Sequence, residues 1–552
     1  MADSKSEVAD SADLLRVIAS EAELRTMAAR LGHTLEPNQL ADLRIALLRA
    51  EPAAAALRRD LPSHRESDPL IGDLLLTEAA QFETQSRLPD RSSVQLPENV
   101  TAVDAVAGAL KRLRQSNRDF RCTVTFLDDR ALEMAEESDR RIEAGYGRLL
   151  EGIPFTVKDV IDVEGVPTTG GSRCGNVGPA LRSATAIARL EQQGAIPISK
   201  DATTEFACGG PNSPLTGVCL NPWDTSRWAG GSSSGTSVAV ATRAVSFGIG
   251  TDVGGSIRLP SAWCGVTGLK PTTGRVSRTG VVPMSWTAET VGPIAQDART
   301  IAAVMSVLAG HDTEDIRTTE RSEFRHHDLD MNSVRIAVPR DDVFQDCDSE
   351  VLAGLARMTD VLQQFGATFT DASVPSAHLA NKIGYQVVFT EAASVHRGEF
   401  AGDRWKQYDP ATVRRISAGI ATPAADYIRA LQFRSRLQAE IMKLFEHADL
   451  ILMPTVPATA PALPGVTLSV NGVKFPAYEI QSNFTMMCNL TGLPAVAVPT
   501  GLSADGCPVS AMLVAAPFRE SVALRVAEMF QDQTSFHLQA PPFLARPGTT
   551  SN

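Results

Sequence analysis

Residues 247–272 have the sequence FGIGTDVGGSIRLPSAWCGVTGLKPT, in which an apolar segment enters a Gly-rich loop. The apolar part, 247–252, is short and predicts a buried strand. Two glycines and then Ser256 follow it. Glycines allow successive backbone N–H groups to converge, which is the geometry that holds a developing oxyanion. This stretch therefore predicts a strand that leads directly into a loop suited to catalysis.

Similar strand-like segments lie on both sides of this stretch and alternate with segments of helical periodicity. The strand-like segments are CTVTF (122–126), IPFTVKDVI (153–161), AIPISK (195–200), AVSFGIGTD (244–252), VRIAVP (334–339), ADLILMP (448–454) and AVAVPTGL (495–502). Apolar spacing predicts helices over 101–114 and 128–144. Such alternation is typical of α/β domains, so we predict a mixed, largely buried β-sheet with helices on both faces.

Length and composition narrow the class of protein. Of the 552 residues, 43% are hydrophobic and 21% are charged, and the formal net charge is −12. These values exclude a disordered or fibrous chain and argue against a nucleic-acid-coating protein. No run of 18 apolar residues occurs, and the acidic N-terminus is unlike a signal peptide. Eight scattered cysteines without a C-x-x-C pair favour a reduced, cytoplasmic protein.

The ends of the chain differ in composition from the α/β part. Apolar residues at helical spacing between 10 and 60 predict two helices, and 61–98 is polar and punctuated by proline. We therefore expect an N-terminal helical extension and linker over 1–95, a catalytic α/β domain over 96–545 and a flexible tail over 546–552. The extension either packs on the main body or serves as a fused docking or assembly module.

A second Gly-rich segment, GGSSSG (230–235), allows two interpretations. Segments of this composition are most often loops or linkers. It also matches the pattern G-x-S-x-G, which would make Ser233 the nucleophile of an α/β-hydrolase. That hypothesis requires a strand directly before the motif, whereas NPWDTSRWA (221–229) is rich in turn formers.

Lys158 ends the apolar segment 153–157 in a chain with 9 lysines against 43 arginines. Burial at a strand end favours the neutral amine, which can act as a general base. The alternative is a structural lysine whose stem packs on the strand. Asp252 and Arg258 are likewise consistent with a buried ion pair that fixes the loop. The nine histidines show no metal-ligand spacing, so no metal site is predicted.

The strand lysine, the GGSSSG segment and the GGS turn, in this order, resemble the amidase signature family. The resemblance extends over about 100–542, and Ala229 and Ser234 replace a common proline and a common glycine of the family pattern. Further matching segments are TEFA (204–207), NPW (221–223), PSAWCG (260–265), GLKPT (268–272) and LTGLP (490–494).

This resemblance implies the amidase signature fold and a Ser–Ser–Lys triad. Ser256 would be the nucleophile, Lys158 the base and Ser232 the bridging serine, which follows a cis peptide bond in the family. The oxyanion would be held by the backbone N–H groups of Val253, Gly254, Gly255 and Ser256. Residues expected to support the loops are Gly231, Ser233, Asp252 and Arg258. The family requires no metal or organic cofactor.

The leading functional hypothesis is a hydrolase of small amides, carbamates or urea-like compounds, without nucleic-acid or membrane partners. We expect it to be a homodimer, with the N-terminal helices as its contact. The alternative is the glutamine-hydrolysing subunit of a tRNA-dependent amidotransferase. Residues 24–60 resemble the small helical subunits that accompany such enzymes, and also those that accompany biuret hydrolases. Fusion of such a segment to the chain favours a self-contained enzyme, because a transamidase needs a separate tRNA-binding subunit. A catalytically inactive scaffold is a third hypothesis. The substrate-binding residues are expected in 280–290 and 370–430.

Overall fold

An eleven-stranded β-sheet runs through the described part of the chain. Its strands, in chain order, are β1 (Thr123–Phe126), β2 (Pro154–Lys158), β3 (Ile196–Asp201), β4 (Phe247–Asp252), β5 (Thr267–Lys270), β6 (Thr290–Ala295), β7 (Arg335–Pro339), β8 (Thr368–Ala372), β9 (Leu450–Pro454), β10 (Ala495–Leu502) and β11 (Pro508–Ala515). Their spatial order is β8-β7-β9-β11-β10-β5-β6-β4-β2-β3-β1. The β2–β3, β2–β4, β7–β8 and β7–β9 pairs are parallel and the others are antiparallel. The predicted mixed sheet is confirmed.

Helices of seven or more residues connect and cover these strands. They are α1 (Ala102–Phe120), α2 (Asp128–Glu143), α3 (Thr185–Gln192), α4 (Ser234–Ala241), α5 (Arg258–Cys264), α6 (Ala298–Leu308), α7 (Ser349–Gln364), α8 (Ala377–Val395), α9 (Pro410–Ala421), α10 (Ala424–Leu444), α11 (Thr485–Thr491) and α12 (Glu520–Asp532). The helices predicted over 101–114 and 128–144 correspond to α1 and α2. Helix α1 begins after Thr101, whose side chain accepts the N–H of Asp104, and it continues six residues beyond the prediction, to Phe120.

This computed structural model describes residues 86–87, 94–175, 178–319, 324, 326–327 and 329–545. Of the predicted N-terminal extension, only 86–87 and 94–95 belong to these residues. The helices predicted between 10 and 60 and the tail 546–552 lie outside them. The two residues Ser86–Arg87 pair antiparallel with His326–His327.

The central strands are buried along their whole length, because helices pack on both faces of the sheet. All residues of β3, β4 and β6 are buried. Ile196 and Ile198 of β3 share a core cluster with Val106 of α1 and Val238 of α4, whereas Phe155 of β2 belongs to a different cluster that includes residues of α3 and α6. Burial on both faces explains why these strands appear in the sequence as continuous apolar runs.

All seven predicted strand segments contain a strand of the sheet, and four strands were not predicted. The unpredicted strands are β5, β6, β8 and β11. Among the residues that the structure describes, no helix combines the length and hydrophobicity that a membrane span requires.

Strand direction brings the predicted motifs together. Strands β2 and β4 are adjacent and parallel, with Val157 opposite Ile249. Lys158 is the last residue of β2 and Asp252 is the last residue of β4, so both strands end at the same edge of the sheet. In α/β sheets this carboxyl edge is where binding and catalytic residues collect.

The entry into α4 is packed so closely that a glycine is required there. A Cβ on Gly235 would lie 2.0 Å from the carbonyl oxygen of Cys122 and 2.6 Å from the backbone nitrogen of Ala202. Because both are backbone atoms, we expect Gly235→Ala to lower the free energy of unfolding by about 3 kcal/mol, measured by urea denaturation.

The matched control is Gly398→Ala in the short helix Arg397–Ala401, where no atom lies within 4 Å of the added Cβ. This variant should be unchanged or more stable by up to about 1 kcal/mol. Similar losses in the two variants would contradict the packing argument.

Candidate active site

Lys158 lies fully buried at the end of β2, in contact with two hydroxyl groups. Its Nζ is 2.7 Å from Ser232 Oγ and 2.7 Å from Thr251 Oγ1, and the Thr251 carbonyl oxygen is 3.4 Å away. Burial lowers the pKa of Lys158 to about 7, against the opposing effect of the Glu289 and Asp252 carboxyls. A neutral amine can donate its two N–H groups to the Thr251 oxygens and accept the Ser232 hydroxyl proton. The environment therefore suits a base.

Ser232 is buried and lies just before α4, and the peptide bond between Gly231 and Ser232 is cis, as the family resemblance implied. The backbone at this point is closely covered. A Cβ on Gly231 would lie 2.7 Å from Cζ2 of Trp228 and 3.0 Å from Cγ2 of Thr204. A glycine is therefore the residue that fits here.

The loop after β4 is organised by the carboxylate of Asp252. Its Oδ1 accepts the N–H of Gly255 at 2.8 Å, and its Oδ2 accepts the N–H of Ile257 at 3.1 Å. Arg258 Nη2 lies 2.9 Å from Oδ1 in a fully buried ion pair, and Asn489 Nδ2 donates to the same oxygen at 2.9 Å. The ion pair suggested by the sequence is thus present.

Charge balance keeps Asp252 ionised in this buried position. Burial by itself raises the pKa of the carboxyl, but the charge and hydrogen bonds of Arg258 outweigh it and hold the pKa of Asp252 well below its usual value. The same ion pair raises the pKa of Arg258 in spite of burial. Both groups therefore remain charged at neutral pH.

The hydrogen bonds of the loop distinguish among the four predicted oxyanion donors. The N–H of Gly255 donates to Asp252, so this predicted donor has another acceptor in the structure. The N–H groups of Val253, Gly254 and Ser256 make no hydrogen bond to any residue that the structure describes. These three remain available to an oxygen atom in the cavity.

Ser233 joins the two Gly-rich segments instead of facing the cavity. Its N–H donates to the carbonyl of Ser256 at 3.1 Å, and its Oγ donates to the carbonyl of Thr251 at 3.2 Å. Ser233 is fully buried, whereas Ser232 and Ser256 line a common cavity. The geometry gives Ser233 a structural role.

Glu289, directly before β6, is a buried carboxyl that the sequence analysis missed. Its Oε2 accepts the N–H of Met284 at 3.2 Å, and its Oε1 has no hydrogen-bond partner among the described residues. Burial raises the pKa of Glu289 to about 7, although the nearby charges of Arg278 and Lys158 lower it. Glu289 therefore adds a titratable carboxyl to the electrostatic environment of Lys158. The sequence offered no local signal for this residue, because the strand that it precedes was itself not predicted.

The cavity has a volume of about 690 Å³. Near the two Gly-rich segments it is lined by Gly231, Ser232, Val253, Gly254 and Ser256. Of the two ranges in which substrate-binding residues were expected on loops, 370–430 lines the cavity mainly through the helices α8 and α9, and 280–290 contributes Met284. That these residues bind substrate stays a prediction. Lining segments that were not anticipated lie at 204–211 and 465–486. In the described ranges, no group of three or more His, Cys, Asp and Glu side chains is arranged to hold a metal ion.

Comparison with known proteins gives consistent results. The profile of the Amidase family matches residues 104–524. A curated relative from Pelobacter propionicus, a subunit of the Glutamyl-tRNA(Gln) amidotransferase, is 34% identical over 471 residues, which are 80% of this chain and 96% of the relative.

Two solved structures are similar over about four-fifths of this chain. One, described as a vestigial protein complex that reveals the evolutionary origins of an s-triazine catabolic enzyme, aligns with a TM-score of 0.74 and 30% identity over 79% of this chain and 95% of its own. The other, an amidase, aligns with a TM-score of 0.72 and 28% identity over 79% and 96%, respectively.

The buried ion pair generates a stability prediction. Asp252→Asn leaves the buried Arg258 charge without a counter-ion, so we expect a loss of about 3–5 kcal/mol in the free energy of unfolding at neutral pH. Because the folded pKa of Asp252 is depressed, its contribution is present above the unfolded pKa of about 3.9 and is lost as pH falls below it.

The matched control is Asp371→Asn, which removes the partner of Arg340 from an ion pair whose side chains are 74% and 55% exposed. Solvent screening limits that loss to about 1 kcal/mol or less. Denaturant titrations of both variants at neutral and acidic pH test the comparison, and equal losses would contradict it.

Proposed function

The chain belongs to the Amidase family and is a hydrolase that acts on carbon–nitrogen bonds, and we propose that it cleaves small amide, carbamate or urea-like substrates through an acyl group on Ser256. Its fold is the amidase signature fold. In this proposal Lys158 is the base and Ser232 relays the proton. The observation that carries it is the buried contact of 2.7 Å between Lys158 Nζ and Ser232 Oγ, beside a cavity that Ser256 also lines.

In the first half of the reaction, Ser256 Oγ forms a bond to the substrate carbonyl carbon. Its proton passes to Ser232 Oγ as the Ser232 proton passes to the lone pair of Lys158. The carbonyl oxygen becomes an oxyanion, which accepts the free N–H groups of Val253, Gly254 and Ser256. Lys158 then returns the proton through Ser232 to the leaving nitrogen, the C–N bond breaks and the amine departs.

In the second half, a water molecule takes the place of the amine. Its oxygen attacks the acyl carbon while its proton follows the same path to Lys158. The bond to Ser256 Oγ breaks, and the proton returns to that oxygen as the carboxylic or carbamic acid leaves. The protein ends each turnover with the protonation states with which it began.

A second candidate function is the glutamine-hydrolysing subunit of a tRNA-dependent amidotransferase. It is favoured by the name of the curated relative at 34% identity. Incubation of the purified chain with simple amides and with glutamine, without tRNA or other proteins, separates the two. Turnover of simple amides under these conditions supports the hydrolase. Ammonia release from glutamine that appears only when tRNA and partner subunits are added in a second assay supports the amidotransferase function.

We also propose that the region 1–95 is separate from the chemistry and contributes to a homodimer. The separation from the chemistry is supported by the family match, which begins at residue 104, before every residue of the proposed mechanism.

All eight cysteines are unpaired in the structure, which suits the proposed cytoplasmic location.

The position of the acyl group is the first test of the mechanism. A slowly deacylating substrate followed by peptide mass mapping should place the adduct on Ser256. Ser256→Ala should abolish the adduct and Ser232→Ala should slow its formation, because only the former removes the nucleophile. Ser233→Ala serves as the matched control and should retain the adduct. Modification of Ser233 instead would overturn the mechanism.

The second test concerns the protonation state of Lys158. Because burial lowers its pKa to about 7, kcat/KM should rise with pH through this value as the ammonium loses its proton. Lys158→Ala should lower kcat by about 10³-fold, whereas the exposed Lys474→Ala should not change it. Profiles measured from about pH 5 to about 9 test this. A folded Lys158→Ala protein with near-normal kcat would refute the assignment.

A further inference from the structure

Three residues with side-chain amides, Asn381, Gln386 and Gln481, line one wall of the cavity. Asn381 and Gln386 belong to α8, and Gln481 follows the short helix Ala477–Ile480. Each is more than nine-tenths buried, and the side-chain oxygen of each has no hydrogen-bond partner among the residues that the structure describes. A buried acceptor that is left unpaired costs about 1–3 kcal/mol. A ligand that donates hydrogen bonds to this wall is therefore favoured.

The orientation of the Asn381 amide is determined by its partners. Its Nδ2 donates to the carbonyl of Glu479 at 2.8 Å and to Oδ1 of Asn483 at 2.8 Å. A backbone carbonyl only accepts hydrogen bonds, so the nitrogen of Asn381 must lie on that side and its oxygen on the other. Asn381 Oδ1 is therefore a fixed acceptor that nothing in the described part of the chain uses.

The amides of Gln386 and Gln481 are unpaired at both ends. In the described ranges, neither the oxygen nor the nitrogen of these side chains makes a hydrogen bond, so neither amide holds another element of the fold in place. Burial of an amide without hydrogen bonds is unfavourable, and a ligand that pairs with it removes that penalty. Together with Asn381, these two residues offer both acceptors and donors without a net charge. The group that best complements such a wall is another amide.

This wall lies next to the loop that follows β4. The hydroxyls of Tyr385 and Ser482, 2.8 Å apart, join α8 to the segment after Ala477–Ile480. Thr485 Oγ1 donates to the carbonyl of Gly254 at 2.7 Å, and a Cβ on Gly254 would lie 4.0 Å from Cε1 of Tyr385. Both segments that carry the amides thus contact the loop, so only a few bonds separate a group at the wall from the scissile carbonyl.

We propose that this wall is a subsite for a second, uncharged amide or ureido group, and that the substrate is a diamide or a biuret-like compound. The proposal rests on the function proposed above, which places the scissile carbonyl at Ser256. Asn381 Oδ1 accepts an N–H of the second group, and the amides of Gln386 and Gln481 bind its other N–H and its carbonyl. The substrate is thereby oriented before attack, since one end is bound while the other meets the nucleophile.

Pairs of compounds that differ only in the second group test this directly. Malonamide, succinamide, glutaramide and biuret are compared with methyl malonamate, methyl succinamate, methyl glutaramate and methyl allophanate, in which a methoxy group replaces one NH2. Initial rates of ammonia release report cleavage of the amide and not of the ester. Values for the symmetric compounds are halved, because either end can be cleaved.

At least one compound with the second NH2 should exceed its ester in kcat/KM by about 10-fold. The physical reason is that the ester leaves buried acceptors of the wall unpaired. Equal values in all four pairs would overturn the proposal.

Variants of Gln386 assign the preference to this wall. Gln386→Met keeps the length of the side chain and removes the amide, and it breaks no side-chain hydrogen bond within the described residues. The preference should fall from about 10-fold to about 2-fold, mainly through a higher KM for the preferred compound. Gln363→Met, at an exposed glutamine of α7, is the matched control and should retain the full preference. A proportional loss for both members of the pair in Gln386→Met would contradict the subsite.

Binding measurements separate this proposal from the mechanism on which it rests. Calorimetry on Ser256→Ala should show binding of the preferred compound that is weakened about 10-fold by the added Gln386→Met change. Turnover by Ser256→Ala would refute the assigned nucleophile and leave the subsite standing. Unchanged binding in the double variant, or no binding of any of the four compounds with a second NH2, would refute the subsite and leave the nucleophile standing.

Discussion

The buried ion pair between Asp252 and Arg258 is the interaction on which the rest of the site depends. Asp252 ends a central strand, Arg258 begins α5, and the loop with Ser256 lies between them. Burial of two charges is unfavourable unless each is fully hydrogen-bonded. Here the carboxylate also accepts backbone N–H groups of the loop and the amide N–H of Asn489 on α11. These contacts offset the cost of desolvation and also determine the loop conformation. The bond to Asn489 in addition attaches the C-terminal half of the domain to the loop.

Because of this arrangement, the N–H groups of the loop differ in whether they have an acceptor within the protein. The carboxylate accepts the N–H of Gly255, whereas the N–H groups of Val253, Gly254 and Ser256 remain available to an oxygen atom in the cavity. A donor array of this kind is fixed before substrate arrives, which is what makes electrostatic stabilisation of an oxyanion effective. The residues that are buried beneath the loop thus matter to the chemistry as much as those that face the cavity.

Much of this architecture could be predicted from the sequence, since buried strands appear as apolar runs and the Gly-rich segments are compact in sequence. Strand β5 (TGLK) was missed because Leu269 is its one large apolar side chain, and β6 (TVGPIA) because a Gly-Pro pair separates its apolar residues. Strand β8 was missed because all five of its residues are exposed or half-buried. Strand β11 is an apolar run that lies close behind β10, and it was overlooked. Glu289 was missed for another reason: its importance comes from its effect on Lys158 across the fold, which no local pattern records.

The burial of Lys158 also links folding to protonation. The unfolded chain keeps this lysine protonated up to its ordinary pKa of about 10.4, whereas the folded chain does so only up to about 7. Between these values the unfolded state binds more protons, so folding releases a proton to solvent and the contribution of this group to stability rises with pH. The neutral amine that the reaction needs is therefore also the protonation state that the folded protein prefers, and activation of the base does not oppose folding.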